Sequence, residues 1–428
     1  MLPLALALAL VATTAGPAPH DGMPAAPPRA MTFAQAIEAG LAYNIRSTTA
    51  QLEVHRAQGI RREVMGQALP TLTAMGVYSH IDHARELAGR QLQPEAQLNG
   101  NVTLTLPLVS ARAWGNVAEA RAQERLAQAQ HAAVRREVAI GVAYAYLDAI
   151  AKAHTLEVIQ SSVALNRGHY QYAKTRFEGG VGNRLDMLRA DQELSTSQAQ
   201  CLAASVAALG AQEMLGRLVG YNGAIEPVDE VLVPQVLTHP DALATLSKRR
   251  ADLKAMMGQV LLNQRMRKNS WLDFMPALLG SGQIFGQSPP SPTMPHFGWQ
   301  VQLILSVPLY DGGARYGRMA QRHALESEAT LALDDGARRA RSEVRVALAA
   351  ADAAEQALLA AEHARSQAAL ALQLATASYR RGLSQNLEVI DAERQARDTA
   401  TQAVLAHNTL RRAQVDLVAA AGQFPGPL

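Results

Sequence analysis

Few side chains in this sequence have the types and spacing that chemistry requires. His80 and His83 form an H-x-x-H pair with only Asp82 nearby, and an isolated pair of this kind is usually solvated. The single thiol, Cys201, can form neither an intrachain disulfide nor a chelating cluster. No Gly-rich phosphate loop precedes a helix with a following Lys-Ser or Lys-Thr, and no Ser-His-Asp grouping is suggested. We therefore expect no enzyme activity, no metal site and no cofactor.

A different sequence element occurs twice. "FEGGVGNRLDMLRAD" spans residues 177–191 and "YRRGLSQNLEVIDAE" spans residues 379–393. The two align without a gap, so that a ring, a glycine and a run of apolar and acidic residues recur in register: Phe177 with Tyr379, Gly180 with Gly382, Leu185 with Leu387, Asp186 with Glu388, Leu188 with Ile390 and Asp191 with Glu393. The chain is therefore predicted to contain two tandem copies of one unit.

Each predicted copy contains a pair of β-strands. No Asp, Glu, Lys or Arg lies between Asp273 and Asp311, and "FGWQVQLILSVPL" (297–309) inside this gap alternates between two faces. This period of two predicts a strand, and "NVTLTLPL" (101–108) repeats the pattern in the first half. A weaker strand pattern precedes each, at residues 71–81 and 277–285. We expect two β-hairpins.

The remaining segments favour helices. Residues 31–67 are predicted as one helix that Thr32 caps. Residues 111–177 and 313–381 contain no proline, and two helices of roughly 65 residues would each be about 100 Å long. Two series with three-four spacing predict that the second long helix and its successor form an antiparallel coiled coil: Ala347, Ala350, Ala354, Ala357, Ala361, Ala364, Ala368, Ala371 and Ala375, then Val389, Ala392, Ala396, Thr399, Ala403, Ala406, Leu410, Ala413, Leu417 and Ala420.

Composition and termini complete the predicted organisation. Aromatic residues are only 4% of the chain, and a net charge of +3 does not indicate a nucleic-acid partner. The apolar run and small residues at the N-terminus indicate a signal peptide and therefore export. The predicted boundaries are 1–15 for the signal peptide, 16–30 for an irregular lead-in, 31–220 for the first repeat, 221–240 for a linker, 241–421 for the second repeat and 422–428 for a C-terminal tail.

The strands have the character of membrane strands. About ten alternating residues with aromatic side chains near one end match a transmembrane β-strand, and they also match a soluble sandwich. The sandwich is disfavoured because the strands contain no charge and only four are visible. Four strands cannot close a membrane barrel, so several chains would have to share one. Trp114, Phe297, Trp299 and Tyr310 are predicted anchors at the membrane interface.

Four segments together resemble the outer membrane factor family, the TolC-like exit ducts of Gram-negative efflux and type I secretion systems. They are "LPLVSARAWGNVAEARAQ" and "VPLYDGGARYGRMAQRHALE" at the strand-to-helix junctions, and "RFEGGVGNRLDMLRADQEL" and "YRRGLSQNLEVIDAERQ" at the helical tips. The resemblance implies a mixed fold, a membrane β-barrel and a long α-helical barrel. It implies a homotrimer that shares one 12-stranded barrel in outer-membrane lipid and extends into the periplasm.

The resemblance also implies a function and a site. The expected function is a passive conduit for solutes that an inner-membrane pump exports through a periplasmic adaptor, a membrane fusion protein. The tips would contact the adaptor and close like an iris, through Gly180, Val181, Gly182, Asn183, Gly382, Leu383 and Ser384. Glu388 and Asp391 would form the pore constriction. Ser384 stands where the family often has an arginine that locks the closed state, so the lock would be built from Arg184, Arg380 or Arg381, or be weaker.

Other interpretations remain open. The tips could be turns with helix caps only, with Asp186 and Glu388 favouring the first turn of the following helix. The chain could be a non-transport periplasmic coiled-coil scaffold or an adaptor protein. A scaffold does not need two charge-free β-hairpins, and an adaptor is expected to have one helical hairpin surrounded by β-rich modules. Drugs, metal ions and proteins are all compatible as cargo.

Overall fold

The two halves of the chain present the same order of elements, a β-hairpin, a very long helix, a turn and a shorter helix. The computed structural model describes residues 28–87, 90–229, 250–290 and 295–424. The first half holds β1 (Arg29–Met31), α1 (Phe33–Tyr43), α2 (Ile45–Gly66), β2 (Thr71–His80), β3 (Arg85–Leu87), β4 (Arg90–Gln93), β5 (Ala96–Ser110), α3 (Ala111–Glu178) and α4 (Arg184–Leu218). The second holds β6 (Ile225–Pro227), α5 (Ala251–Lys268), a 3-10 helix (Asn269–Phe274), β7 (Ala277–Ser288), β8 (Phe297–Ser306), α6 (Ala314–Arg380) and α7 (Asn386–Ala420).

The first predicted helix, residues 31–67, is in fact two helices. Thr32 and Gln35 form a capping box at the start of α1, as the capping prediction requires. The helix is interrupted at Asn44, whose backbone is extended at φ −66 and ψ 130. Its side-chain oxygen accepts from the N–H of Arg46 at 3.0 Å, and its Nδ2 donates to the carbonyl of Leu218 at 2.9 Å. A distant contact therefore stabilises the break.

Two segments predicted as irregular form a short parallel sheet. β1 begins in the predicted lead-in and ends at Met31, the first residue of the predicted first repeat, and β6 lies in the predicted linker. The two strands pair with Arg29 opposite Ile225. The hydroxyl of Tyr146, on α3, lies 3.0 Å from the carbonyl of Met31 and 2.7 Å from that of Val228. Through these contacts, α3 connects the end of β1 to the segment that follows β6. The predicted signal peptide, most of the lead-in, residues 230–249 and the last four residues lie outside the described residues.

The four longer strands form one antiparallel sheet in the order β2-β5-β7-β8. β5 begins at Ala96 and β7 reaches Ser288, so both are longer than predicted, whereas β8 ends at Ser306 and not at residue 309. Pro308 cannot donate to a ladder. The guanidinium of Arg315 instead donates to the carbonyls of Pro308 and Leu309, at 3.0 and 3.3 Å, which turns the chain from the strand into α6.

The main apolar core lies where α1 meets α3, α4 and α7. Phe33 packs edge-on against Tyr146 with ring centroids 5.3 Å apart, and Val142 and Leu215 are fully buried beside them. α3, which passes through this core, and α6 are helices of 68 and 67 residues, close to the predicted lengths. Within the described residues, no helix is both long enough and apolar enough to cross a membrane.

The predicted coiled coil between α6 and α7 is present, but half of the α6 series faces elsewhere. Every seventh alanine is buried or half-buried against α7: Ala347, Ala354, Ala361, Ala368 and Ala375. The prediction is wrong for the alternating positions, which are exposed on the single chain: Ala350, Ala357, Ala364 and Ala371. All ten positions predicted on α7 are buried or half-buried. The single partner helix α7 therefore covers only one edge of the alanine stripe on α6.

Candidate functional site

The first helical tip is a tight backbone turn. α3 ends at Glu178, and Gly180 adopts the left-handed conformation at φ 75. The N–H of Gly180 donates to the carbonyl of Phe177, and that of Val181 donates to the carbonyl of Arg176, both at 3.0 Å. This is a Schellman motif, which satisfies carbonyls at the helix end and requires a residue that tolerates positive φ. Glycine satisfies that requirement here.

The second tip has the same backbone turn, but the space available to its side chains differs. Gly382 has φ 76, and the N–H of Leu383 donates to the carbonyl of Ser378 at 2.9 Å. In the first tip, a Cβ on Gly182 would lie 2.8 Å from the backbone of the preceding helix, so a side chain does not fit there. Ser384 occupies the equivalent place in the second tip. The two tips therefore share a backbone fold and differ in side-chain space.

The predicted adaptor-contact residues lie at the outermost point of each turn. Val181 is 74% exposed and Leu383 is 77% exposed, so each tip presents a bare aliphatic side chain. Asn183 caps α4 by accepting from the N–H of Leu185 at 3.0 Å, while Gln385 makes no side-chain cap at the start of α7. The cap accounts for Asn183 structurally. The exposed aliphatic pair has no such local explanation.

The predicted constriction residues are exposed at the start of α7. Glu388 lies in the first turn, and Asp391 lies one turn further along the same helix. Three residues apart, they project from the same face of the helix. In the first half, Asp186 occupies the corresponding first-turn position and is half-buried, while Arg189 replaces the second acid. Only the second tip therefore presents an exposed acidic pair.

The aromatic residue that recurs in the two tips is exposed in the first tip and buried in the second. Phe177 is 37% exposed, whereas Tyr379 is buried between the two helical hairpins. Tyr379 packs against Tyr172 of α3, with ring centroids 5.8 Å apart, and the guanidinium of Arg176 lies 5.4 Å above its ring. The second tip therefore anchors itself to the first through an aromatic and cation–π contact.

A buried ionic cluster, which was not predicted from the sequence, lies just above the tips. Glu193 of α4 accepts from Arg394 of α7 through Nε at 2.9 Å and Nη2 at 2.6 Å, and from Nη1 of Arg397 at 3.3 Å. Glu193 is almost fully buried. The arginines that we predicted for a lock, at 184, 380 and 381, are exposed on the chain. No periodic signal marks Glu193 or Arg394, because their pairing joins residues 201 positions apart.

A second polar chain adjoins this cluster. Nε2 of His169 lies 2.6 Å from Oδ1 of Asn386, whose Nδ2 donates to the carbonyl of Asp186 at 3.1 Å. Nδ1 of His169 lies 3.8 Å from Oε1 of Glu393. Burial lowers the pKa of His169, and burial together with the charge of Glu193 raises the pKa of Glu393 to about 7. We call these six side chains the inter-hairpin cluster: His169, Glu193, Asn386, Glu393, Arg394 and Arg397.

The sheet has two unlike faces. The side chains on one face are largely apolar and exposed, among them Leu98, Val102, Leu104, Trp299, Val301 and Leu303. The opposite face is mainly polar and uncharged, with Gln97, Asn99, Asn101, Thr103, Thr105, Ser281, Gln283, Gln287, Gln300 and Gln302. β2 and β8 are the outer strands, and each has one unpaired edge within the described part of the chain.

The four predicted interface aromatics lie at opposite ends of this sheet. Phe297 and Trp299 begin β8, and Phe297 pairs with Gly286 at the end remote from the helices. Trp114 lies in the first turn of α3 and Tyr310 follows β8, so both lie at the helix-side end. All four are at least half exposed. β8, which begins at Phe297 and ends four residues before Tyr310, has ten residues and spans roughly 30 Å.

The histidine pair lies at the remote end of the sheet. Nε2 of His80 lies 3.8 Å from Oε1 of Glu95, and Nδ1 of His83 lies 3.3 Å from Oδ2 of Asp82. These are exposed contacts between one histidine and one carboxylate each. Over the described residues, no three His, Cys, Asp or Glu side chains are grouped closely enough to hold a metal ion.

Known structures share this fold. The outer membrane protein VceC from Vibrio cholerae aligns with a TM-score of 0.76 and 19% identity over 91% of this chain and 96% of its own. A membrane protein from Pseudomonas aeruginosa aligns with a TM-score of 0.78, 21% identity and coverage of 91% and 93%. The CmeC outer membrane channel of Campylobacter jejuni aligns with a TM-score of 0.79 and 14% identity, over 91% of this chain and 85% of its own. At these identities the likeness concerns the fold.

Sequence comparison identifies the family. No curated protein is significantly similar to this chain. A family model described as outer membrane efflux protein matches residues 38–221 and 281–423, which include both tips and both long helices. The match confirms the predicted resemblance, the outer-membrane location and the role as an efflux exit duct, in a family of conduits and not of enzymes. The chain belongs to the outer membrane efflux protein family.

Proposed function

We propose that three copies of this chain close one twelve-stranded barrel in the outer membrane and continue it as a helical tunnel in the periplasm. The observation that carries this proposal is the pair of open edges on β2 and β8 of a sheet with an apolar face. Unpaired backbone groups in lipid cost several kcal/mol each. Joining β8 of one chain to β2 of the next removes every edge.

The side chains of the sheet support the orientation of this barrel. The apolar face, with Val301 and Leu303, would contact lipid, and the amide-rich face, with Asn99 and Gln283, would line the lumen. Phe297 and Trp299 would anchor one rim, with Trp114 and Tyr310 at the other. The rims are about as far apart as the roughly 30 Å hydrocarbon core of a bilayer.

The tips would be the periplasmic end of the duct. Their exposed aliphatic residues, Val181 and Leu383, suit a contact with the helical hairpin of a periplasmic adaptor, through which an inner-membrane pump delivers solutes. The exposed acidic pair, Glu388 and Asp391, would contribute six carboxylates in a trimer and form the narrowest, cation-attracting part of the tunnel. The duct itself supplies no energy, so transport would be driven by the pump.

Native mass spectrometry in mild detergent tests the assembly. We expect a species with the mass of three chains, because a single chain leaves both edges of its sheet unpaired. Circular dichroism on the same sample reports whether the strands and helices are folded. A monomer that retains its full β-sheet signal would contradict the proposal, since its edges would then be stable without a neighbouring chain.

A further inference from the structure

Three arginines and two aspartates meet where the sheet joins the helices. Asp273 lies in the 3-10 helix, and its side chain is 4% exposed. Oδ1 of Asp273 contacts Nη1 of Arg112 on α3, and Oδ2 lies 3.2 Å from Nε of Arg318 on α6. Oδ2 of Asp311, which follows β8, lies 3.2 Å from Nε of Arg315 and 3.6 Å from Nη2 of Arg318. We call these five side chains the junction cluster.

The junction cluster has one positive charge more than it has negative charges. Arg315 is buried, and it donates to the carbonyls of Pro308 and Leu309. The side chains of Arg112 and Arg318 are 51% and 41% exposed, and their carboxylate contacts involve one nitrogen of Arg112 and two of Arg318. Because a guanidinium has five N–H donors, both side chains retain donors for an anion from outside the protein.

The charges next to the cluster do not cancel this excess. Glu119 of α3 accepts a hydrogen bond from Nδ2 of Asn269 at 3.1 Å. Lys268, at the end of α5, is exposed, and Nη1 of Arg322 donates to the carbonyl of Met266 at 3.2 Å. These neighbours add two positive charges and one negative charge. Charge therefore favours an anionic ligand at the junction.

Two exposed aromatic residues adjoin the cluster. Trp271 lies two residues before Asp273 and is 57% exposed. Tyr316, in the first turn of α6, is also exposed, and its ring packs edge-on against that of Phe274 with centroids 5.6 Å apart. Rings with an apolar body and a polar tip are enriched at the level of lipid headgroups. The junction thus presents guanidinium and indole groups side by side.

The apolar face of the sheet leads to the junction cluster. Leu305 of β8, and Val307 and Leu309 after it, are all at least half exposed. Asp311 follows two residues later, and the carbonyl of Leu309 accepts from Arg315 at 3.3 Å. An apolar chain that lies along β8 would therefore end beside the cluster.

We propose that the junction cluster binds the phosphate of an anionic phospholipid, with Arg112 and Arg318 as donors and the acyl chains along the apolar face of β8. This inference rests on the proposed function, in which that face contacts lipid and the helix-side end of the sheet lies at the periplasmic surface of the membrane. The planar fork of a guanidinium matches two oxygens of one phosphate. Trp271 and Tyr316 lie at the headgroup level in this arrangement.

The excess charge selects among phospholipids. Phosphatidylglycerol brings only the negative charge of its phosphate, whereas phosphatidylethanolamine also brings an ammonium group to a cluster that is already positive. The two lipids share the phosphate and the acyl chains, so a difference between them reports the charge of the headgroup. We expect a preference of about fivefold for phosphatidylglycerol, the effect of roughly one basic side chain at an anionic lipid surface.

The fluorescence of Trp271 tests the site. Trp114 and Trp299, the other two tryptophans of the chain, are replaced by Phe so that the emission comes from Trp271 alone. The protein is inserted into phosphatidylcholine vesicles that contain an equal minor fraction of phosphatidylglycerol or phosphatidylethanolamine, brominated near the headgroup end of the acyl chains. Bromine quenches tryptophan on contact. We expect brominated phosphatidylglycerol to quench at about a fivefold lower mole fraction.

Variants of Arg318 identify the donor. Arg318→Gln removes the excess charge while Arg112 keeps its contact with Asp273, so it should abolish the preference between the two lipids. Arg318→Lys keeps the charge and should retain a preference. The matched control is Arg339→Gln, an exposed arginine about 30 Å further along α6 that contacts Asp335. It should be quenched like the parent.

The outcomes separate the lipid site from a site for free phosphate. Equal quenching of the parent by the two lipids overturns the inference, and this comparison depends on no variant of the cluster. A preference that Arg318→Gln leaves unchanged overturns it as well. Soluble glycerol phosphate, added at the same phosphate concentration, should not remove the preference. If it does, the cluster binds free phosphate and the lipid assignment is wrong.

Native mass spectrometry of the same protein separates this inference from the proposed function. A trimer without a lipid preference contradicts the lipid site and leaves the barrel intact. A folded monomer that still prefers phosphatidylglycerol contradicts the shared barrel and supports the site. A trimer with the preference supports both.

Discussion

Equivalent residues of the two tips have diverged although their turns have not. Gly180 and Gly382 share a left-handed backbone, yet Tyr379 is buried between hairpins while Phe177 is exposed. Asp191 is exposed, and its equivalent Glu393 is buried beside a second carboxylate. The turn requires only a positive φ, so the neighbouring side chains are free to adopt separate roles. The second tip has acquired the buried contacts as well as the exposed acids.

The exposed acids lead to a prediction about conductance. In the proposed trimer, six clustered carboxylates should attract multivalent cations, so a trivalent cobalt hexaammine ion on the periplasmic side of a planar bilayer should block the channel. Replacing Glu388 with Gln and Asp391 with Asn together should weaken the block and reduce cation selectivity. Asp352→Asn, an exposed change far along α6, should not. A double variant blocked as strongly as the parent would place the constriction elsewhere.

Between elements, side-chain size decides how closely helices pack. α6 presents alanine every seventh residue to α7, and this allows the two backbones to approach closely along much of their length. The gain comes from dense contact and not from large apolar groups. At the helix-to-sheet junction, the elements are held by ion pairs and not by small apolar residues. The side chain of Asp273 is buried, and Arg112 of α3 and Arg318 of α6 contact its carboxylate.

The seam between α6 and α7 should be sensitive to added volume. Ala354 is 5% exposed and faces α7, so Ala354→Leu should overpack the pair and cost roughly 1 to 3 kcal/mol. Ala357→Leu, one turn away and exposed, should cost much less. Thermal unfolding followed by circular dichroism at the helix band measures both. Equal losses would show that the exposed alanines are packed as tightly as the buried ones.

For the whole molecule, the two faces of the sheet indicate which surroundings each face suits. A face with Trp299, Val301 and Leu303 suits lipid, whereas amides on the opposite face suit a water-filled lumen. The long helices carry mixed charges and extend away from the sheet. In the proposed barrel, the same chain combines a membrane segment with a hydrated one, and ion pairs and the hydrogen bonds of Arg315 hold the junction between sheet and helices.

Adjacent residues of β8 test this assignment. Val301→Lys places a charge on the apolar face and should cost about 2 to 4 kcal/mol if that face meets the middle of the bilayer. Gln302→Lys adds the same charge to the opposite face and should be tolerated. The quantity of heat-resistant oligomer recovered from the outer membrane measures insertion. If both variants insert equally well, or if only Gln302→Lys fails, the assignment of the faces is wrong.

Features that depend on near neighbours could be predicted from the amino-acid sequence. Alternation over residues 297–309 predicted a strand, which the structure shows as β8 over Phe297–Ser306. Glycines at 180 and 382 predicted the turns, Thr32 predicted a capped start, and the absence of proline predicted the two long helices. Each of these signals is local, because strand period, positive φ, capping and helix continuity involve residues within a few positions of each other. The family resemblance rested on the same local segments, and the family match confirms it.

Contacts between distant residues could not be predicted in this way, because they depend on how the whole chain folds. The break at Asn44 depends on Leu218, β1 needs β6 as a partner, and Glu193 becomes a buried anion because Arg394 and Arg397 approach it from another hairpin. Likewise, alanines at 350 and 354 have the same place in the sequence pattern, yet one is exposed and the other is buried. Which side of a uniform stripe meets a partner, and which charges are brought together without water, depend on the arrangement of whole helices, and no spacing within one helix encodes it.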